Sequence, residues 1–548
     1  MRKSLLSILL AGIAIISLSE KSASQAGNVI RQSSAGSIQN PDSLRRIATS
    51  KSEENFDVPG FTILRKAIVG SNTGADADKI KTLEEALKNL RPKETPYSIV
   101  VNINEDPTSQ MAFNWFTNAG VTGGKVQIIK GISSNSAQFA KPMKTVDAKT
   151  FPAKDLNYSV KSNSLSTLAG IADNSKRSYM VNKAIVTNLK PNTDYSFRVG
   201  SDGHWSDFGT FKTASDKKAD FSFLYTTDPQ ANNDEMFNIS QKTTHTARST
   251  YPNANFWLAC GDLVQSDKSA NSEWEWEQFF LTQQDLFLHI PFAPIIGNHD
   301  KSANKNFSSH FNTSSTDFDV AMSTSPGSVY SFVYGDALFL ALSFEDYDKP
   351  GYLESLANWM KVQVSEHADT KWRIAYYHKT LFTGSHSHQD DSDGKMIRDR
   401  FAPLFDSLKI DLALQGHDHI YEVIGPVKGK MLVPGAVKNQ LQVPVNPREN
   451  VTGRLNGVFN VKEGTLYVLN NSAGKKKYEP KTKAEMDSTE SRLGIKNYFG
   501  LFSGRFRQTG RPTFSNISVT KDTITVSTFE VFDEGNASLF DKIKLVKY

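Results

Sequence analysis

The 548-residue chain has a single cysteine, Cys260. It can close no internal disulfide, so its stability has to come from core burial, bound metal or both. Charge of one sign is also lacking. Its 63 basic and 58 acidic residues give a formal net charge of +5, and no long basic stripe is present. Nucleic acid is therefore not expected as a main partner. Hydrophobic residues make up 38% and charged residues 22%, without the charge excess of a disordered chain. Beyond the first residues, no run is apolar enough to span a bilayer. Two signatures of phosphate and acyl chemistry are missing too: there is no G-x-S-x-G elbow and no G-x-x-x-x-G-K-[ST] loop. At this length, two or three domains are expected.

The chain starts "MRKSLLSILLAGIAIISLSEKSASQA". Arg2 and Lys3 precede an apolar run, Leu5 to Leu18, and small residues follow. Residues 1–26 read as a secretory signal, so an exported protein is expected, periplasmic or extracellular. Residues 27–93 are polar and end with Ile80, Leu83, Leu87 and Leu90 at near-helical spacing before Pro92. They read as a linker and a short helix without visible chemistry.

Residues 94–216 carry short strand-like runs such as "MAFNWFT" and "KVQIIKG", the pattern of a β-sandwich. Within "LKPNTDYSFRVG", Leu189, Pro191, Thr193 and Tyr195 form L-x-P-x-T-x-Y. This resembles the tyrosine corner of fibronectin type III-like domains, where a buried tyrosine brings its hydroxyl to a backbone partner. From residue 217 to 548 strands alternate with helices, predicting an α/β domain. The fold class expected is thus multidomain, a fibronectin type III-like sandwich followed by an α/β domain. The aromatic stretch "SEWEWEQFFLTQQDLFL" reads as a core helix, Cys260 as a small core hydrophobe, and the basic run "AGKKKYEPKTK" as a solvated loop.

The predicted strands end in "TTDPQ", "CGDLVQ", "IGNHD", "YYHKT" and "QGHDH". Each puts a metal-capable side chain at a carboxyl edge, where α/β sheets bind ligands. His417 and His419 are two residues apart, so on extended backbone both face the same way. Gly416 allows close backbone approach. Asp262 can bridge two cations through its two oxygens. Asn298 offers an amide oxygen. His299 can face a substrate while Asp300 holds its other nitrogen.

This ordered set resembles the calcineurin-like metallophosphoesterase superfamily, and within it the purple acid phosphatase branch, which pairs such a domain with a fibronectin-like sandwich. "GHDHIYE" fits that branch through Glu422. The resemblance implies a metal-dependent phosphoric ester hydrolase with two cations. Asp228, Asp262 and His419 would hold one. Asp262, Asn298, His378 and His417 would hold the other. A bridging hydroxide would attack phosphorus, and His299 would protonate the leaving oxygen. In the loop after His378, either His386 or His388 could touch the substrate phosphate. Two positions depart from the family pattern. Gln265 stands where purple acid phosphatases have a metal-binding tyrosine, and Gln230 where many relatives have histidine. Either glutamine could add an amide oxygen, or merely bond a neighbour. Without the phenolate, a divalent pair (Mn²⁺, Zn²⁺ or Fe²⁺) is expected, and no purple colour. The expected substrate is a small phosphate monoester. A phosphodiesterase or nucleotidase on the same site stays open, because loops decide that choice. An inert binding protein is the third reading, supported only by the two glutamines.

Overall fold

A computed structural model describes residues 95–158, 175–265, 273–301, 305–389, 391–438, 455–502 and 505–548. The expected signal at 1–26 and the whole of the 27–93 segment lie outside them. No described helix is long and apolar enough to cross a membrane.

The first unit is a two-sheet sandwich. One sheet holds Tyr97–Asn102, Met111–Asn118, Lys149–Tyr158 and Ser175–Val186. The other holds Lys125–Lys130, Lys144–Asp147 and Asp194–Ser201, with two short strands beside the last. Alternation in "KVQIIK" sends Val126 and Ile128 inward. Between the sheets Phe113 meets Phe197 edge-on, centroids 4.9 Å apart. The tyrosine corner is formed: the buried Tyr195 hydroxyl accepts the Lys190 N–H at 2.8 Å.

The second unit is built from two mixed sheets packed face to face. In the first, Phe221–Thr226, Phe256–Cys260 and Phe292–Ile295 run parallel. In the second, Ala337–Ala341, Trp372–Tyr376, Leu412–Gln415 and Thr465–Leu469 do the same. Aromatic side chains fill the gap. Phe223 and Phe256 stack at 4.9 Å and 4°, and Phe339 from the opposite sheet stands edge-on to Phe223 at 5.3 Å. The helix Tyr352–Glu366 buries Tyr352, Leu353, Leu356, Ala357, Met360 and Val364, a stripe at helical spacing. Cys260 is fully buried in this core, as a small hydrophobe would be.

The sandwich and the second unit share one sheet. Asn102 pairs in parallel with Phe292, which joins the strands of both units into a single twelve-stranded sheet. The aromatic helix Glu273–His289 seals this joint. Trp274, Trp276, Phe279 and Phe280 are all buried. Its Glu277 carboxylate accepts hydroxyl bonds from Tyr158 and Tyr179 of the sandwich, both at 2.8 Å. Two charge-stabilised bonds offset the cost of burying that carboxylate.

Candidate metal centre

Parallel register keeps the strand ends level. Cys260 is opposite Ile295, and Gln415 opposite Leu469. The loops leaving these ends meet in one place. Asp228 and Asp262 both adopt left-handed backbone, φ 53° and 51°. The Asp228 N–H donates to Gly261 O at 3.1 Å and the Gln230 N–H to Asp262 O at 2.9 Å, lacing the first two loops together. Gly297 passes so close that a Cβ there would lie 2.2 Å from Asp262 Oδ1. A Cβ on Gly416 would lie 2.4 Å from Cys260 O and 2.8 Å from His378 Nδ1. Only glycine fits either position.

His378 is buried and its Nδ1 donates to the Cys260 carbonyl at 2.8 Å. A neutral ring then presents a lone pair at Nε2. Facing it are Asn298 Oδ1 at 2.9 Å, Asp262 Oδ1 at 3.2 Å and His417 Nδ1 at 3.2 Å. Acceptors crowded on a lone pair require positive charge among them, a proton or a metal cation. Burial opposes a charge on His378, yet the Asp262 carboxylate overrides it and pushes the ring up to about 10. Burial would likewise raise Asp262, but the His378 charge beside it holds it below the usual carboxylate range. His417 is driven well below the ordinary histidine value by burial and the neighbouring His388 and His378 charges. Ligand atoms of Asp262, His378 and His417 all fall within 4.8 Å of one another. The donor set of carboxylate, imidazole and amide oxygen suits a first-row divalent ion.

The second half of the cluster surrounds Asp228. His419 Nε2 lies 3.2 Å from Asp228 Oδ1, and the His417 N–H donates to both Asp228 oxygens at 3.2 and 3.0 Å. Among the described residues, two buried polar atoms of this half have no partner, Gln230 Oε1 and His419 Nδ1, and a third, Gln265 Oε1, belongs to the side chain beside His299. Such orphans fit a site that takes up charged groups.

The histidine pair is not on extended backbone, contrary to the spacing argument. His417 has φ 74°, and the Asp418 N–H bonds Gly416 O at 2.9 Å across it, closing a strained γ-turn. The turn separates the two rings. His417 is directed at His378 and His419 at Asp228.

His299 is half-buried, with its N–H donated to Asp262 Oδ1 at 2.9 Å. Its Nδ1 sits 2.9 Å from the Gln265 carbonyl oxygen. That oxygen can only accept, so Nδ1 carries a proton and Nε2 is left for a substrate. Asp300 does not hold this ring, which corrects the expectation. Its carboxylate accepts the N–H groups of Val264 at 3.1 Å and Gly297 at 2.9 Å, because the tight turn folds it beneath its own loop. Burial, then the nearby Asp262 charge, raise Asp300 well above the usual range.

The two loop histidines separate. His388 stacks on His417, whereas His386 turns outward to Glu485, 3.6 Å away, with nearly half of its side chain exposed. The "HDHIYE" segment explains how the loop is held. Asp418 accepts the Ser385 hydroxyl at 2.6 Å and Glu422 the Gly384 N–H at 2.8 Å.

Sequence reasoning missed the loop after Leu469. Ser472 Oγ donates to Asp228 O at 2.5 Å, and the Ala473 N–H to Thr227 O at 2.8 Å. Tyr478 then lies flat on His419, centroids 4.3 Å apart at 4°. The basic run is thus partly a wall of the site. A tyrosine ending a lysine cluster was the only available signal.

Comparison with known proteins gives a consistent picture. Residues 96–213 match the family described as "Purple acid Phosphatase, N-terminal domain", and residues 221–421 match "Calcineurin-like phosphoesterase". The chain is 24% identical over 309 residues to an uncharacterized protein of Mycobacterium tuberculosis, covering 51% of this chain and 57% of that one. It is 23% identical over 256 residues to the probable purple acid phosphatase 20 of Arabidopsis thaliana, covering 45% and 56%. The chain thus spans little more than half the length of these curated relatives. The solved structure of purple acid phosphatase PPD1 from yellow lupin (Lupinus luteus) seeds superposes with a TM-score of 0.58 at 12% identity, over 83% of this chain and 75% of that one.

Proposed function

We propose that this chain, which belongs to the calcineurin-like phosphoesterases and carries the N-terminal domain of the purple acid phosphatases, hydrolyses phosphate monoesters with two divalent cations. The observation that carries this reading is the cluster on His378 Nε2, where ligand atoms of Asp262, His378 and His417 lie within 4.8 Å of one another beside the Asn298 amide oxygen, an arrangement a cation in place of the proton would satisfy. Asp262, Asn298, His378 and His417 would hold one ion; Asp228, Asp262 and His419 would hold the other. When bound, such a pair neutralises phosphate oxygens and acidifies water at neutral pH.

The protein's own residues supply the rest. His299, aimed by the Gln265 carbonyl, delivers the proton on Nε2 to the ester oxygen as the P–O bond breaks. This avoids expelling a free alkoxide. Asp262 ties the His299 backbone to the metal cluster, so proton donor and cluster keep a fixed spacing. His388, anchored at Nδ1 by Asp391 at 2.7 Å, leaves Nε2 to hold a phosphate oxygen. Export is part of the proposal, supported by the basic start and apolar run of residues 1–26.

The test is hydrolysis of a chromogenic phosphate monoester by chelator-stripped protein, before and after Mn²⁺, Zn²⁺ or Fe²⁺ is returned. Metal-restored turnover is expected. Turnover of a phosphodiester but not the monoester would replace the monoester reading, and no turnover with either would leave the inert-domain reading.

A further inference from the structure

We infer that Gln230, through Oε1, is a protein ligand of the cation held by Asp228, Asp262 and His419, and that Gln265 binds neither cation. The inference rests on the dinuclear reading above and decides between two residues that composition alone cannot separate.

Gln230 is almost fully buried, at 1% exposure, and left-handed at φ 42°. Its backbone is fixed by its bond to Asp262 O. Its Nε2 donates to Asp262 Oδ2 at 3.0 Å, and its Oε1 has no partner among the described residues. Asp262 Oδ1 already faces the His299 N–H and His378 Nε2. The oxygen that remains to reach the second cation is Oδ2, where Gln230 stands. An N–H aimed at that oxygen competes with a cation. A half-turn of the terminal amide, a soft rotation, exchanges Nε2 for Oε1 and converts a competitor into a donor of electron pairs. The ligand count agrees. Without Gln230 one cation has three protein ligands and the other four. With it each has four, including one amide oxygen apiece, from Gln230 and Asn298.

Gln265 is engaged elsewhere. Its side-chain amide reaches the same nitrogen its own carbonyl holds, Nε2 lying 3.2 Å from His299 Nδ1. Because Nδ1 is the donor there, the same half-turn that brings Oε1 round lets the amide accept from it. Among the described residues its Oε1 also has no partner, and its side chain makes no hydrogen bond to Asp228 or Asp262. Gln265 is a positioning residue for the proton donor.

The test is equilibrium binding of Mn²⁺ to the chelator-stripped full chain, with stoichiometry from elemental analysis and folding checked by circular dichroism. Wild type should bind two ions. Gln230→Ala should bind the second at least about tenfold more weakly, and Gln265→Ala should match wild type. Gln230→Met preserves volume but replaces a hard oxygen with a soft thioether, so it carries the test if the alanine variant does not fold. It should weaken Mn²⁺ to a similar degree. Wild-type affinity for both ions in the folded Gln230 variants would overturn the inference, as would loss of an ion in Gln265→Ala. A wild-type protein that binds no ion would overturn the dinuclear reading itself.

Discussion

The imidazole of His388 lies face to face on that of His417, with ring centroids 3.8 Å apart and planes 27° from parallel. His386, two residues earlier, has no such contact and pairs at the surface with Glu485. His388→Ala should therefore cost about 10- to 100-fold in kcat/KM, the worth of one charge-assisted bond to phosphate. His386→Ala should stay within about twofold. Steady-state kinetics of the two variants side by side checks this, and equal losses would refute the assignment.

Removing the proton donor should hurt most where the leaving group is basic. His299→Ala is expected to lower kcat by about 10²- to 10⁴-fold on an alkyl phosphate. On 4-nitrophenyl phosphate, whose leaving group needs no proton, the loss should be clearly smaller. A leaving-group series on the variant gives the answer as a steeper slope than wild type.

Asp300 supports a turn and does not steer the imidazole. Asp300→Ala leaves two buried N–H groups unpaired and should destabilise the protein by about 2–4 kcal/mol. The alkaline limb of the pH–kcat profile, where the proton donor is lost, should stay in place. A displaced limb in the variant would return the histidine-orienting role to Asp300.

Gly297 has no room for a side chain against Asp262. Gly297→Ala should push that carboxylate aside and weaken metal uptake while the sandwich remains folded. Dialysis against Mn²⁺ followed by elemental analysis would show fewer than two ions.

Far from the site, burial pushes Asp411 up to about 6 in spite of Lys547, 2.8 Å away. The folded form thus holds a proton that the unfolded chain has released. Asp411 favours folding fully below about pH 4 and loses that contribution as pH rises through about 6, an effect on the order of 2–3 kcal/mol. Asp411→Asn should flatten the fall in Tm between pH 4.5 and 7. An unchanged slope would contradict it.

Much of the site was legible because its chemistry is carried by residue types at strand ends. Asp228, Asp262, Asn298, His378, His417 and His419 each follow a short apolar run, and parallel register then brings them together. What stayed hidden depends on geometry inside turns. The left-handed γ-turn at His417 has no sequence signature, since histidine seldom takes that conformation. Asp300 was misread because a side chain next to His299 can fold back under its own loop as easily as reach the ring. Tyr478 enters from a loop that composition alone presents as solvent-exposed. The joint between the two units was invisible for a different reason: Asn102 and Phe292 are 190 positions apart, and nothing local marks them as partners.

That joint sets a limit on how the protein can be dissected. Cutting between the sandwich and the second unit would uncover the Phe292 end of Phe292–Ile295, a short buried strand that carries the Asn298 and His299 loop at its other end. It would also strip Tyr158 and Tyr179 from the Glu277 carboxylate. A separately expressed catalytic unit would offer an open, apolar sheet edge to its neighbours and should aggregate. The sandwich therefore acts as a built-in edge guard for the catalytic sheet, and truncation should forfeit solubility before it forfeits chemistry.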